Sequence, residues 1–321
     1  MDLLDFISDP VWDAPFFKVL ASNDTGAAEG HQAGVAIPRE LRRFLPRLEE
    51  AQTTAAHPTA DRNLEALLYE GEEFRETVTT RYQYQTWGGT RAAESRITGQ
   101  LGPIHNVAEA HDVMVFQRRC DSLSVFRIIL VRQHTDEFAA IEPLLGAKRW
   151  GTFADWATPV SQEDVIAADH HIAALAESPF SLLDPNPNLV STTVTRVARS
   201  IVFRERVVSA YEQACAITGV SLVSSNFLHE VDAAHIVPRG RAGSDDPRNG
   251  VALSKTVHWA FDRGLFHVDE NYRVQLSQFA ISHERNALLH EFAGRQINLP
   301  DSERSRPSLE AFAWHRENVF S

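Results

Sequence analysis

Two histidines and an asparagine in the last third of the chain are of the types that phosphodiester hydrolysis requires. They are His235, Asn249 and His258, with thirteen and then eight residues between them. A neutral imidazole has a pKa close to operating pH, so His235 is a candidate general base that deprotonates water. His258 is a candidate ligand of a divalent cation, with Asp262 four residues later on the same helical face. Asn249 has a donor and an acceptor, with which it could pin the loop and orient His235.

The pattern around these residues predicts a strand, a loop, a second strand and a short helix. The first strand ends at His235, and the second follows near Val251 after a polar, glycine-containing loop. Ser254 is of the N-cap type, and Gly264 is of the type that follows a helix. The helix between them carries His258 in its first turn. This order brings His235 and His258 close together.

The second metal ligand is open between two carboxylates, Asp262 and Asp232. Strand alternation turns Asp232 to the face opposite His235, which favours Asp262. One imidazole and one carboxylate leave several positions for water and phosphate, as a hard divalent ion prefers. We therefore expect one divalent ion, Mg²⁺ or Mn²⁺.

The stretch from Cys215 to Leu276 resembles the HNH, or ββα-metal, endonucleases, and in particular a bacterial branch found in restriction and defence nucleases. The resemblance rests on the His-Asn-His spacing, on the Asn-Gly and Phe-Asp-Arg-Gly segments and on the apolar strand that follows. By position it implies that His235 is the general base, Asn249 the structural asparagine and His258 the metal-binding histidine.

The sequence departs from this family pattern at two places. Many relatives bind a structural zinc through two Cys-x-x-Cys pairs. Here Thr218 stands where the second cysteine of the first pair would be. Ser254 and Val257 stand where the second pair would be, at the start of the helix. A four-cysteine structural zinc is therefore excluded. Ala234 precedes the base, where relatives often carry an acid.

Short apolar and β-branched runs predict a barrel-like β domain in the first half of the chain. An amphipathic helix is predicted to begin at Pro38 and to continue through Leu48. Strands are predicted at residues 35–37, 76–84, 113–116 and 125–131.

Two polar segments of this domain have side chains that can read base edges in pairs of hydrogen bonds. One arm lies around Ser22–Asp24 and residues 31–32, and the other follows the hairpin tip at residues 88–89 and would sit opposite. Residues 16–135 resemble the DNA-recognition pseudobarrel of the EcoRII-type restriction endonucleases, a fold shared with a large class of plant transcription factors. The resemblance favours Arg91, Glu94 and Arg96 as base readers. Lys18, Arg81 and Arg119 are expected to be phosphate contacts or solvated charges. The full candidate DNA-binding set is Lys18, Ser22, Asn23, Asp24, His31, Gln32, Arg81, Trp87, Arg91, Glu94 and Arg96.

Length, charge and cysteine content limit the classes of protein to which the chain can belong. The 321 residues suit two domains, and the net charge of −12 argues against strong nonspecific coating of DNA while leaving room for local basic patches. We find no apolar run long enough to span a bilayer, and the acidic N-terminus lacks the order of a signal peptide. Only two cysteines occur, which fits a reducing cytoplasm, and no membrane is expected as a partner.

The sequence thus predicts an α+β protein with two domains. The expected parts are a recognition pseudobarrel with flanking helices at 1–165, a helix and proline-rich linker at 166–193, and a ββα-metal HNH domain at 194–321. The expected function is that of a type II-like, sequence-specific bacterial restriction endonuclease with a one-metal mechanism, acting at a short C/G-rich site of the CC(A/T)GG kind.

The expected partner is double-stranded DNA, and a second copy of the chain could supply the second cut. A cognate methyltransferase is implied by the resemblance alone. Two alternatives remain: a modification-dependent defence nuclease, and a DNA-binding regulator with an inactive nuclease domain.

Overall fold

The apolar and β-branched runs in the first half of the chain form strands that pair into one large sheet. The computed structural model describes residues 2–25, 34–48, 53–120, 122–184, 193–224 and 229–320, and the chain divides into two units, residues 1–165 and 166–321. The described strands of the first unit are β1 (Phe16–Val19), β2 (Val35–Ile37), β3 (Thr59–Glu70), β4 (Glu73–Gln85), β5 (Glu94–Thr98), β6 (Val113–Arg118), β7 (Val125–Val131) and β8 (Trp150–Thr152). They pair in the order β2-β5-β4-β3-β7-β6-β1-β8. All neighbours are antiparallel except β3 and β7, which run parallel.

The sheet curls until strands from its two ends come close. Lys18 of β1 donates from Nζ to the carbonyl oxygen of Ala36 in β2 at 2.5 Å. In the described residues, the end strands β2 and β8 do not pair with each other. The first unit is therefore a curled mixed sheet with short helices.

β6 and β7 are buried on both faces of the sheet, which explains their continuous apolar runs. Phe16 and Phe116 contribute to a core on one face, with their rings stacked at 5.2 Å. Phe17 and Val115, the alternate residues, contribute to a second core together with side chains from α1 and α3. The helices that begin in this unit are α1 (Leu3–Ile7), α2 (Gly102–His105), α3 (Asp136–Leu145) and α4 (Gln162–Glu177).

The strands predicted in the first half are confirmed, but the predicted helix beyond Pro38 is shorter than expected. It is a 3-10 helix, Arg39–Phe44. Leu45 has extended backbone angles because the following Pro46 disfavours the helical region for the residue before it. The chain therefore leaves the helix before Leu48.

The second unit builds a small hairpin against helices. Its described elements are α5 (Thr193–Ala210), β9 (Val231–His235), β10 (Gly250–Ser254), α6 (Lys255–Asp262), β11 (Phe266–Val268), β12 (Val274–Leu276), α7 (Gln278–Ser282), α8 (Ala287–His290) and α9 (Leu309–Asn318). β9 pairs antiparallel with β10, and β11 with β12. The predicted order of strand, loop, strand and helix is confirmed for β9, β10 and α6. None of the described helices combines the length and apolar character that a membrane crossing requires.

Candidate active site

The hairpin places His235 at the end of β9, directly opposite Gly250 at the start of β10. Gly250 allows α5 to approach this point closely. A Cβ atom at residue 250 would lie 2.5 Å from Val207 Cγ2 and 2.9 Å from Phe203 Cζ. The same Phe203 ring stacks on the His235 imidazole, with centroids 3.8 Å apart and an interplanar angle of 13°. One face of the imidazole is therefore fixed by α5.

A buried carboxylate that the sequence analysis missed holds the other side of this histidine. His235 Nε2 lies 3.2 Å from Asp245 Oδ1, and the Asp245 side chain is 0% exposed. Arg239 Nη1 donates to both Asp245 oxygens at 2.7 Å, and Arg199 Nε lies 2.7 Å from Oδ2. The only sequence signal for this group is an acidic pair in the loop after β9, which could equally have been a solvated turn.

Asp245 is ionised in this environment. Burial opposes its ionisation, but the hydrogen bond with His235 and the charges of Arg239 and Arg199 hold the pKa of its carboxyl below the usual value. An ionised carboxylate can only accept hydrogen bonds. His235 must therefore present Nε2–H to Asp245, which leaves Nδ1 as the acceptor nitrogen of the neutral ring.

Asn249 is fully buried and closes the loop between the two strands. Its Oδ1 accepts from the backbone N–H of Val237 at 2.9 Å, and its Nδ2 donates to the carbonyl oxygens of Val237 at 3.1 Å and Ser244 at 2.8 Å. The bonded residues closely follow His235 and immediately precede Asp245. Asn249 thus ties both sides of the loop together, which is the kind of pinning interaction that its side chain suggested.

His258 lies in the first turn of α6 between two carboxylates. Its Nε2 is 3.5 Å from Asp262 Oδ2, and its Nδ1 is 4.0 Å from Asp232 Oδ2. The Asp232 interaction, opposed by burial and aided by the Asp262 charge, raises the pKa of His258 above its ordinary value. Strand alternation turns Asp232 away from His235, which favours Asp262 as the second ligand. Asp232 nevertheless faces His258 because β10, its pairing partner, leads directly into α6.

The ends of α6 only partly follow the predicted caps. Ser254 is the N-cap residue, but its side chain makes no capping hydrogen bond in the described part of the chain. Glu230 Oε1 instead accepts from the backbone N–H of Lys255 at 2.8 Å. Gly264 follows the helix with a φ of +65°, the left-handed conformation that glycine adopts without strain. A Cβ there would also lie 2.2 Å from the carbonyl oxygen of Val319.

The donors around His258 fit a divalent ion that is completed by water and phosphate. His258 and Asp262 are both partly exposed, and their facing N and O atoms are 3.5 Å apart. Asp232 can accept from the other ring nitrogen, an arrangement that commonly orients metal-binding histidines. Among the described residues, no three or more His, Cys, Asp or Glu side chains gather into a group able to hold a metal ion. The protein would therefore supply only a few of the ligands of such an ion.

In the first unit, the Ser22–Asp24 turn contains both surface and interior positions. Ser22 and Asn23 are at least partly exposed. Asp24 is buried and accepts from the backbone N–H groups of Ala21 and Ala36, each at 2.9 Å. Lys18 is also buried, with Nζ 2.6 Å from Asp24 Oδ2. Burial, opposed by Asp24, lowers the pKa of Lys18, and this placement favours a structural role over a phosphate contact.

Arg96 joins the two predicted arms. Its Nη2 donates to the carbonyl oxygens of Asn23 at 3.1 Å and Gly34 at 3.2 Å, and its Nη1 is 3.1 Å from Glu94 Oε1. β5 pairs with β2, so Arg96 lies next to the strand that follows the first arm. Arg96 is buried, which favours a bracing role, whereas Glu94 is half-buried.

The hairpin tip carries the more accessible candidates. Arg91 is exposed, and its guanidinium lies 4.2 Å from the centroid of the half-buried Trp87 ring. Arg81 is exposed and pairs with Asp61 at 2.6 Å. The two remaining candidates, His31 and Gln32, lie outside the described residues.

Comparison with known protein families identifies the C-terminal segment. Residues 215–269 match the family model described as HNH endonuclease, a DNA-cleaving domain. No curated protein matches the chain. A solved structure titled "Modification dependent TagI restriction endonuclease" matches at 21% identity with a TM-score of 0.30. That match covers 36% of this chain and 37% of the other, so the alignment spans little more than a third of either protein.

Proposed function

We propose that the protein is a restriction-type DNA endonuclease in which the second unit cuts the phosphodiester backbone and the first unit selects the site. The observation that carries the proposal is the orientation of His235 by Asp245 at the end of a hairpin that leads into the His258 helix. This arrangement lies inside the segment that matches the HNH endonuclease family.

His235 performs the proton transfer in this proposal. With Nε2–H donated to Asp245, Nδ1 accepts a proton from water as the water oxygen attacks phosphorus. The bond between phosphorus and the 3′ oxygen then breaks, and the 3′ oxygen takes a proton from a water molecule, which leaves a 5′ phosphate and a 3′ hydroxyl. His235 returns its proton to solvent before the next turnover. Phe203 and Asp245 restrict the rotation of the ring, so the base is held in one orientation and one tautomer.

We assign the divalent ion, Mg²⁺ or Mn²⁺, to His258 and Asp262, with Asp232 orienting the histidine. When bound, such an ion supplies positive charge that stabilises the developing charge on the phosphate and on the leaving oxygen. Asn249 contributes indirectly, because it keeps the segments that carry His235 and Asp245 together.

We assign site selection to the curled sheet of residues 1–165, as a DNA-recognition pseudobarrel. The accessible residues of the second arm support this role, above all the exposed Arg91, which lies on Trp87, and the half-buried Glu94. Arginine favours guanine, and glutamate can accept from the cytosine amino group, which is consistent with a C/G-rich site of the CC(A/T)GG kind. The other strand would be cut either by the same chain docked on the near-symmetric site in its second orientation or by a second chain.

Plasmid digestion tests this function. The purified full chain is incubated with plasmid and Mg²⁺ or Mn²⁺, and the ends of the fragments are sequenced. We expect fragments with a shared end sequence, and for His235→Ala a loss of cleavage of about a hundredfold or more with retained DNA binding. Random ends would refute site selection, and unchanged cleavage by His235→Ala would refute the role of that residue.

The same assay separates the two alternatives. Methylated and unmethylated plasmids are digested side by side, and cleavage of the methylated plasmid alone would indicate a modification-dependent nuclease. Sequence-specific binding with no nicking of either plasmid, in the presence of either ion, would indicate a regulator with an inactive nuclease domain.

A further inference from the structure

An arginine-rich cleft in the first unit lies outside the predicted recognition arms. It has a volume of about 430 Å³ and is bordered by Arg39, Arg42, Arg43 and Arg47, with Tyr84 and Ser95 on its wall. The arginines come from the 3-10 helix after β2 and the segment that follows it, and the wall residues come from β4 and β5. None of these four arginines was among the DNA-binding candidates of the sequence analysis.

Three of the four arginines at the cleft are exposed to solvent. Arg39, Arg43 and Arg47 are exposed, and within the part of the chain that the structure describes none of them forms an ion pair with a carboxylate. Arg75, another surface arginine of the unit, is by contrast paired with Glu70 and Glu73 at 2.8 Å. In a chain with a net charge of −12, unpaired positive charges collected at one cleft need an explanation beyond solubility.

Arg42 forms the inner wall of the cleft and points to its ligand class. Its guanidinium carbon lies 5.6 Å from the Tyr84 ring centroid, and Nη2 donates to the carbonyl oxygen of Ala93 at 3.4 Å. Its Nε is buried and has no hydrogen-bond partner among the described residues. Arg42 borders the cleft, and the N–H groups of a guanidinium are charge-assisted donors to anionic oxygens.

The position of the cleft identifies the source of such an oxygen. Ala93 and Ser95 belong to the segment that carries the proposed base readers Arg91 and Glu94. DNA that contacts this segment therefore brings its sugar-phosphate backbone near the cleft. Several arginines on one side of a base-reading segment suit phosphates, which position a duplex without reading its sequence.

We propose that this arginine cleft binds the phosphate backbone of the duplex whose bases the adjacent arm reads. The inference rests on the proposed function, which it extends from base contacts to a specific backbone contact. The cleft also contains a carboxylate, Glu163, at the start of α4. Glu163 repels phosphate, so its neutralisation should strengthen binding by the same interaction that arginine removal weakens.

The test measures DNA affinity as a function of salt for the full chain and for three variants. The probes are one duplex that carries the site mapped by plasmid digestion and one with that site scrambled. The triple variant Arg39→Ala/Arg43→Ala/Arg47→Ala should bind both duplexes more weakly, by roughly tenfold for each arginine–phosphate interaction that it removes. Its plot of log affinity against log salt should be shallower by about 0.9 for each such interaction. Glu163→Gln should bind both duplexes more tightly than wild type.

Arg75→Ala serves as the matched control, because it removes a surface arginine of the same unit that is already paired. Its affinity and salt dependence should equal those of wild type, and melting temperatures should confirm that all variants fold. A triple variant with wild-type affinity and wild-type salt dependence would overturn the proposal that the cleft binds phosphate, while leaving the proposed function intact. So would a loss confined to the mapped site, which would make these arginines base readers. Wild-type protein that binds neither duplex refutes the proposed function itself.

Discussion

The imidazole of His235 meets a carboxylate that water cannot reach: Nε2 lies 3.2 Å from Oδ1 of Asp245, whose side chain is 0% exposed and is held by two arginines. The arginines keep Asp245 charged and acceptor-only, so the interaction determines which nitrogen of His235 carries the proton. A histidine that is stacked on Phe203 and bonded to a fixed carboxylate cannot rotate freely. Both restrictions are useful to a general base.

Asp245→Asn is expected to slow cleavage by about one to three orders of magnitude while leaving DNA affinity near wild type, because an amide can donate to Nε2 and favour the wrong tautomer. Single-turnover kinetics and DNA binding measure the two effects. The ¹⁵N shifts of His235 should show the change of tautomer directly, a readout that simple loosening of the loop would not produce.

Asp184→Asn is the control for this substitution. Asp184 also pairs with Arg199, at 2.9 Å, but the carboxylate beside the His235 ring is that of Asp245. It should retain the wild-type tautomer and most of the cleavage rate. A wild-type tautomer in Asp245→Asn would show that the carboxylate does not position the base.

Removal of the proposed metal ligands should separate cleavage from binding of DNA. Asp262→Asn and His258→Ala are expected to lower Mn²⁺ affinity by at least about tenfold and to reduce cleavage in parallel. Isothermal titration with Mn²⁺ measures the affinity, and excess chelator should stop cleavage by the wild type. Glu270→Gln, an exposed acid nearby in sequence, is the control. Unchanged Mn²⁺ affinity in both ligand variants would place the ion elsewhere.

Asn249→Ala should destabilise the second unit by about 2–4 kcal/mol, because it leaves the Val237 N–H and two carbonyl oxygens buried without partners. Urea denaturation measures the change in the free energy of unfolding. Cleavage should also fall at temperatures where the variant is folded, since the loop between His235 and Asp245 loses its fastening. A fully stable variant would contradict the role of the buried amide.

The sequence predicted the local elements of the second unit well because their signals are local. His235 ends a strand, His258 begins a helix and Gly264 follows it, and each of these needs only neighbouring residues for its explanation. The Asp245 interaction was not predictable in this way, because it depends on how the loop folds back and on Arg199 from a distant helix. Asp232 was set aside for a related reason, since strand alternation gives a face but not the element packed on that face.

In the first unit, the predicted strands were confirmed, but the charges on them were harder to interpret. Lys18 and Arg96 have the side chains of DNA contacts, yet both are buried. Their partners are Asp24 and the carbonyl oxygens of Asn23 and Gly34, which come from other strands and turns. Pairing between distant segments is not visible in a sequence pattern, so exposure could not be inferred for either residue.

Arg91→Ala should therefore affect DNA binding, whereas Lys18→Ala should affect folding stability. Arg91 is exposed, and its loss is expected to cost about 1–3 kcal/mol of binding and to relax preference at one base pair. Lys18→Ala leaves the buried Asp24 carboxylate without its cation and should cost about 3–5 kcal/mol of folding stability. Binding to a panel of single-base variants of the site, together with thermal melting, distinguishes them. An Arg91 variant that loses affinity equally for all sequences would be a phosphate contact.

His315 should make stability depend on pH in the acid range. Its side chain is buried, its ring stacks on Phe261 at 3.7 Å, and Nε2 lies 3.1 Å from the Phe261 carbonyl oxygen. Burial, opposed by that hydrogen bond, lowers its pKa from 6.5 to about 4. Between these two values the unfolded chain binds the proton and the folded chain does not, so stability is present above pH 6.5 and is lost as pH falls toward 4.

The difference in pKa corresponds to about 3 kcal/mol across this window. His315→Gln keeps a hydrogen-bond donor but cannot be protonated, so its unfolding free energy should fall less steeply between pH 6.5 and 4 than that of the wild type. Urea denaturation at several pH values measures the slopes. His170→Gln, which replaces an exposed histidine on α4, should retain the wild-type slope. If His315→Gln also retained that slope, protonation of His315 would not be coupled to unfolding.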